Sequence, residues 1–260
     1  MKNILNRIYL ILKNYPTRLT GNQDIKALLA QLRPMKCHKE LIRVGSKGDG
    51  GYLIPDDLKG IKACFSPGVD QISDFELDCA NRGMQVFMAD YSVEGPAARH
   101  KNFYFLKKFL GVIQTENTIT LGDWVGSSIL DLDAELLLQM DIEGAEYEVL
   151  LGTSEDLMKR FRIIVIEFHS LKLLWSEPFF RLASRAFEKL LQTHVCVHNH
   201  PNNINPSKTI GDVTLPSVTE MTFLRRDRAG GMSPATLFPH PLDYDNSDKR
   251  SLPLPKCWYT

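Results

Sequence analysis

LLLQMDIEGAEYEVLL, Leu136 to Leu151, is the stretch that decides how this 260-residue chain is read. Leu136, Leu137, Leu138 and Met140 form a continuous apolar run, which predicts a strand buried on both faces, as in the middle of a parallel sheet. The run stops at Asp141-Ile142-Glu143-Gly144. Ala145, Val149 and Leu150 follow at helical spacing, with Glu143 and Glu146 near the positive end of the new helix. Ligands of open α/β sheets bind beyond the carboxyl ends of the strands, so Asp141 and Glu143 are candidate site residues. A purely structural reading competes, in which Glu143 complements the helix terminus and Asp141 ties down a turn. The neighbouring strands decide between the two.

Upstream, Ile61 to Pro67 reads as the first strand of the sheet, Gly68 as its loop, and Ser73 to Gly83 as a helix. Ser73 with Glu76 three residues on has capping-box spacing. Gln85 to Asp90 is a second buried strand ending in an acid, and strand-loop-helix-strand-acid is the layout of a nucleotide-binding half-sheet. Gly68 and Asp90 are close to the separation of about 20 residues that sets a carboxylate on ribose hydroxyls. SPGVDQ is not G-x-G-x-x-G, so a pyrophosphate cradle is not supported; a nucleoside ligand without phosphates demands fewer glycines. Further upstream, LIRVGSKGDGGYLI (Leu41 to Ile54) predicts a hairpin or strand-loop-strand around Asp49, Gly50 and Gly51.

Downstream, Phe103 to Leu110 holds a third strand and Leu121 to Leu130 a helix around Trp124. FRIIVIEF, Phe161 to Phe168, is another strand buried on both faces, with Glu167 and His169 sharing a face at its end. A helix follows over Pro178 to Gln192. HVCVHNH, His194 to His200, is strand-like with His194, His198 and His200 on one face, and Val218 to Arg225 is the last strand. The proline-rich tail from Ser233 reads as coil laid over the domain. Three strands in succession thus end in polar groups: Asp90, then Asp141 with Glu143, then Glu167 with His169. A parallel sheet gathers such ends along one edge.

Composition is ordinary for a soluble globular protein, with 43% hydrophobic and 24% charged residues. Thirty-one basic and 31 acidic side chains leave no basic excess to track phosphates, which excludes an electrostatic case for nucleic acid as partner. Five scattered cysteines without C-x-x-C spacing point to a reducing, cytoplasmic setting and to no disulfide or zinc framework. Near the N-terminus, Ile4, Ile8, Ile11 and Leu12 form a helical stripe too short and too charged to span a membrane. It fits a helix packed on its own domain, and as second choice one in peripheral contact with a membrane surface or partner.

Taken together, DIEGAE (Asp141 to Glu146), GDGGYLI (Gly48 to Ile54), FSPGVDQISDFE (Phe65 to Glu76) and VIEFH (Val165 to His169) resemble the FkbM-type S-adenosylmethionine-dependent methyltransferases. HNHPNN (His198 to Asn203) and FPHPLDYDN (Phe238 to Asn246) are similar to the carbohydrate-associated members. The resemblance covers about residues 41–260 and leaves 1–40 as an N-terminal helical extension. It implies a Rossmann-like methyltransferase fold, a mostly parallel sheet with one antiparallel strand in its edge region and helices on both faces. It further implies Gly68 at the cofactor turn, Asp90 on the ribose hydroxyls, and Asp49, Gly50 and Gly51 in the cofactor or substrate wall. Asp141 and Glu143 would face the methionine end or the acceptor, while His198, His200 and Asn202 would contact substrate hydroxyls. SPGVDQ departs from the full glycine-rich turn of the fold.

The function expected is methyl transfer from S-adenosylmethionine to a hydroxyl of a sugar or glycan. An alcohol must lose its proton, so a base near neutral pKa helps; His169 is the first choice, oriented by Glu167, with Asp141 beside it. Asp141, Glu167 and His169 also form a conceivable magnesium or manganese set, left uncommitted. The alternatives are a nicotinamide-dependent oxidoreductase, which the missing G-x-G-x-x-G opposes, and a non-catalytic glycan- or partner-binding protein that keeps the fold.

Overall fold

The computed structural model describes residues 17–69 and 72–260. The apolar stripe expected at Ile4 to Leu12 lies outside them. Seven strands make one sheet: β1 (Ala63–Pro67), β2 (Gln85–Ala89), β3 (Phe103–Leu106), β4 (Leu136–Met140), β5 (Phe161–Phe168), β6 (His194–Pro201) and β7 (Thr219–Arg225). Their spatial order is β3-β2-β1-β4-β5-β7-β6. The first five run parallel to their neighbours, and β7 runs antiparallel to both β5 and β6. This is a Rossmann-like, mostly parallel sheet, with the antiparallel strand one place in from the edge. The strand order reverses between β1 and β4, so the crevice at their carboxyl ends is the topological switch point.

Among the described residues six helices accompany the sheet: α1 (Asn22–Gln31), α2 (Asp74–Asn81), α3 (Leu121–Ser128), α4 (Glu146–Gly152), α5 (Glu155–Arg160) and α6 (Glu177–Thr193). Alternation along the strands divides the core into two layers. Leu136, Leu138, Ile164 and Phe223 face α1, α3, α4 and α6. The α6 residues Ala183, Phe187 and Leu190 recur at helical spacing to meet that layer. Ile25, Leu28 and Leu29 of α1 bury in the same layer, so the helix before residue 40 is part of the main core. Leu137, Ile163 and Val165 face the other way, against α2 and an antiparallel hairpin of Leu41–Gly45 with Gly51–Pro55.

Three local expectations are corrected. The capping box at Ser73 does not form: the Ser73 hydroxyl accepts the Ala97 amide, and Glu76 turns inward to Ser66. β3 stops at Leu106, and Phe109–Gly111 pairs instead with Thr118–Thr120. A bulge between Cys196 and His198 breaks the period-2 alternation of β6, so His194 falls on the face opposite His198 and His200. Its ring is buried between the Thr193 hydroxyl and the Phe161 carbonyl, and burial pushes its pKa down to about 4. The five cysteines are all free. Among the described residues no helix is long and apolar enough to cross a membrane.

Candidate active site

Strand register builds the site before any side chain is placed. Ile166 pairs with Met140, so Glu167 and Asp141 follow side by side at the ends of β5 and β4. Glu167 lies opposite Glu220 of β7, and Glu220 opposite His200 of β6. Residues opposed across a sheet share a face, so Asp141, Glu167, Glu220 and His200 form one polar row on the face covered by the hairpin. The hairpin loop brings Asp49 to that row. Arg43 holds the loop by donating to the carbonyls of Ser46 (2.5 Å) and Gly48 (2.8 Å). A side chain at Gly51 would collide with the Ser46 carbonyl.

On the switch-point side, the Asp141 amide donates to the Pro67 carbonyl (3.2 Å) and the Gly68 amide to the Ala89 carbonyl (3.0 Å). Gly68 sits at φ +87°, and a Cβ there would run into the Asp141 carbonyl oxygen. Its sequence position beside a ligand loop therefore has a backbone reason: the chain leaving β1 passes too close to the chain leaving β4 for a side chain. Asp49, Gly50, Tyr52, Gly68, Gln139 and Asp141 line a small cleft, open in part to solvent. Asp90 follows β2 next to Gly68 but does not line this cleft; its Oδ1 accepts both the amide and the hydroxyl of Ser92 (2.7 and 2.6 Å).

The candidate base is held by a residue that the sequence reading assigned only to a helix terminus. Glu146, fully buried at the start of α4, lies 3.0 Å from His169 Nδ1. The same carboxylate accepts the amides of Gly144 (2.9 Å) and Ile142 (3.4 Å). The Glu167 carbonyl is 3.2 Å from Nδ1 as well. Both neighbours of Nδ1 are acceptors, so Nδ1 carries the hydrogen and Nε2 is left toward Glu143 (3.4 Å) and Asp141 (3.8 Å). The backbone around the ring is unusual: Glu143 and Ser170 both adopt left-handed φ, +56° and +62°. Burial lowers the imidazolium, but the Glu146 hydrogen bond and the charges of Glu146, Asp141 and Glu143 outweigh it and hold the pKa above its ordinary value. Asp141 moves the other way from the usual carboxylate, pushed up to about 7 by burial despite His169, and its buried Oδ1 has no hydrogen-bond partner.

The Glu167 side chain does not orient His169. Its carboxylate is 4.0 Å from Nε2 and accepts instead from Asn202 Nδ2 (2.9 Å). Burial, then the charges of Asp141 and Glu220, push its pKa well up. Asn202, His198 and His200 are all buried, and each has a partner within the chain. Asp243 of the tail meets His198 Nε2 at 2.9 Å and His200 Nδ1 at 3.5 Å. Asn246 donates to Glu220 (2.6 Å) and Asp49 (3.1 Å). No strand or helix pattern in the tail pointed to these two residues. Nor does the conceivable metal set hold together as read: Asp141, Glu143 and His169 bring ligand atoms within 4.8 Å of one another, whereas Glu167 groups with Asp49 and Glu220.

Among solved structures the chain is similar to a protein of Anabaena variabilis ATCC 29413 assigned as a methyltransferase of an antibiotic biosynthesis pathway (11% identity, TM-score 0.27, covering 54% of this chain and 60% of that one). It is also similar to WbdD (11%, TM-score 0.33, 69% and 40%) and EvdMO1 (12%, TM-score 0.28, 80% and 48%). The chain thus spans between 40% and 60% of the length of these three. No curated protein matches it in sequence. Residues 67–192, from the end of β1 through nearly all of α6, match the methyltransferase FkbM domain. That stretch, which holds the Gly68 turn, Asp90, DIEGAE and the Glu146–His169 pair, is what the chain shares with the methyltransferase FkbM domain.

Proposed function

We propose that the chain transfers a methyl group from S-adenosylmethionine to a hydroxyl of a sugar or glycan. The observation that carries this reading is an imidazole at the switch-point edge whose Nδ1 is fixed by a buried carboxylate and whose Nε2 faces the site. The donor set suits the cofactor. The buried, unpartnered Asp141 Oδ1 seeks a cationic or N–H group, and Asp90 has one carboxylate oxygen that Ser92 leaves for ribose hydroxyls. Gly68 keeps the turn beside them clear, and Asp49, Gly50, Gly51 and Glu143 supply the remaining wall. When bound, the sulfonium supplies an electrophilic methyl group. The chain's own work is to align an acceptor hydroxyl in line with it and to take the hydroxyl proton at His169 Nε2, a contribution of about 10²–10⁴ in rate. Glu146 stabilises the imidazolium so formed. Asp141 supports Nε2 from the cleft side, while Glu167, His198 and Asn202 shape the acceptor side.

Calorimetric titration with S-adenosylmethionine tests the reading. Binding is expected, weakened at least about tenfold in Asp90→Ala by loss of a charge-assisted hydrogen bond. Absence of binding, or an Asp90→Ala variant indistinguishable from the parent, would overturn it.

A further inference from the structure

We propose that Tyr147 is a positioning residue that fixes the backbone of His169, a role that rests on reading His169 as the base of methyl transfer. Tyr147 Oη donates to the His169 carbonyl at 2.7 Å. Glu146, the residue before it, meets Nδ1 of the same histidine at 3.0 Å. Neighbouring residues on a helix project about 100° apart. The two side chains therefore reach His169 from different directions, one at the ring and one at the main chain.

The main chain needs holding at this point. The ladder of β5 with β7 ends at the Phe168–Thr219 pair, so His169 lies just beyond it. Ser170 then turns into left-handed φ, +62°. A residue other than glycine keeps that conformation only where its surroundings over-determine it. After the turn, the Leu171 amide donates to the Ser217 carbonyl (3.0 Å). Before it, the Tyr147 hydroxyl holds the carbonyl that leads into Ser170. The phenol is itself immobilised. Tyr147 is fully buried, with the rings of Phe168, Phe179 and Phe187 centred 5.5, 5.1 and 5.9 Å away. Without the hydroxyl, the His169 carbonyl loses this donor and the backbone relaxes about Ser170. Nε2 then shifts relative to Asp141 and Glu143, and misplacing a reacting group by about 1 Å costs about a hundredfold in rate.

The test is Tyr147→Phe in the full chain, which keeps the packed ring and removes only the hydroxyl. The initial rate of tritium transfer from methyl-labelled S-adenosylmethionine to the carbohydrate fraction of the producing cells should fall about ten- to a hundredfold. The Michaelis constant for S-adenosylmethionine should not change, because Tyr147 does not line the cleft. A second readout needs no turnover. The His169 ring nitrogens, assigned by nitrogen-15 NMR against His169→Ala at alkaline pH, should move from the values of one fixed tautomer toward those of mixed tautomers. A parental rate in Tyr147→Phe would overturn the proposal, and so would parental nitrogen signals, even where the Tm falls. Transfer indifferent to His169→Ala would overturn the methyl-transfer reading instead, with the nitrogen signals still deciding whether Tyr147 positions the ring.

Discussion

Glu146 accepts the Nδ1 hydrogen of His169 at 3.0 Å from a position with no solvent exposure. The bond joins the turn after β4, one of the two switch-point strands, to the end of its neighbour β5, and the same carboxylate closes the turn through the Gly144 amide. Ring tautomer, ring orientation and turn geometry are therefore set by one side chain.

The pH profile of activity follows from that bond. His169 is held above its ordinary pKa chiefly by Glu146, against burial, so its base form is lost as pH falls through the raised value. Glu146→Gln should move the acidic limb of kcat to lower pH while reducing kcat about tenfold or more, and His169→Ala should lower kcat by about 10²–10⁴. An acidic limb that stays in place in Glu146→Gln contradicts the assignment.

Gly68→Ala forces a side chain into the Asp141 carbonyl at φ +87°. Strain plus displacement of the β4 end should cost about 2–4 kcal/mol, read as a lowered urea midpoint with unchanged m-value.

His194 gives the fold an acid limit. Its pKa is near 4 in the folded chain and about 6.5 when unfolded. Between those values the unfolded chain binds the extra proton, so stability is intact above about pH 6.5 and declines toward pH 4. The full loss is about 3 kcal/mol at roughly 1.4 kcal/mol per pKa unit. Urea unfolding across that range should show the slope in the parent and a flatter one in His194→Gln.

Beneath the cleft, Ser66 Oγ lies 2.5 Å from both Glu76 Oε1 and Gln139 Oε1, with Gln139 Nε2 donating to the Tyr52 hydroxyl. The Ser66 hydroxyl donates toward both, and one hydrogen cannot serve two acceptors at full strength, so Glu76 is left incompletely solvated by the chain. Burial pushes Glu76 up accordingly, against the Ser66 hydrogen bond. A proton held in the folded state and released on unfolding makes stability fall as pH rises above about 4.5. Glu76→Gln should fold and lack that slope; a variant with the parent's slope would place the proton elsewhere.

Asp243→Asn removes the charge that clasps His198 and His200 at 5% side-chain exposure. Breaking a buried pair of this kind costs about 3–5 kcal/mol. Limited proteolysis should then cut within residues 238–249 faster than in the parent chain.

What could be read in the sequence was what periodicity carries. The apolar runs of β4 and β5, with a polar residue at each carboxyl end, placed Asp141, Glu167 and His169 on one edge, because a buried parallel strand has little freedom in where it ends. What could not be read depended on contacts between distant segments. Glu146 has the signature of an N-terminal helix acid, and only the approach of β5 reveals it as the partner of His169. One bulge in β6 moved His194 to the opposite face. Glu76 had the spacing of a cap, but Ser66, one strand away, drew it inward. Asp243 and Asn246 lie in a tail with no periodic pattern; FPHPLDYDN marked the segment by resemblance, but not which of its residues reach β6 and β7.

The most direct measurement is transfer of tritium from methyl-labelled S-adenosylmethionine to the carbohydrate fraction of the cells that make the protein. The parent chain is compared with His169→Ala. The account predicts label recovered as alkali-stable methyl ether on released monosaccharides, reduced at least about a hundredfold in the variant. Label confined to alkali-labile ester or to protein, or equal transfer by His169→Ala, would contradict it.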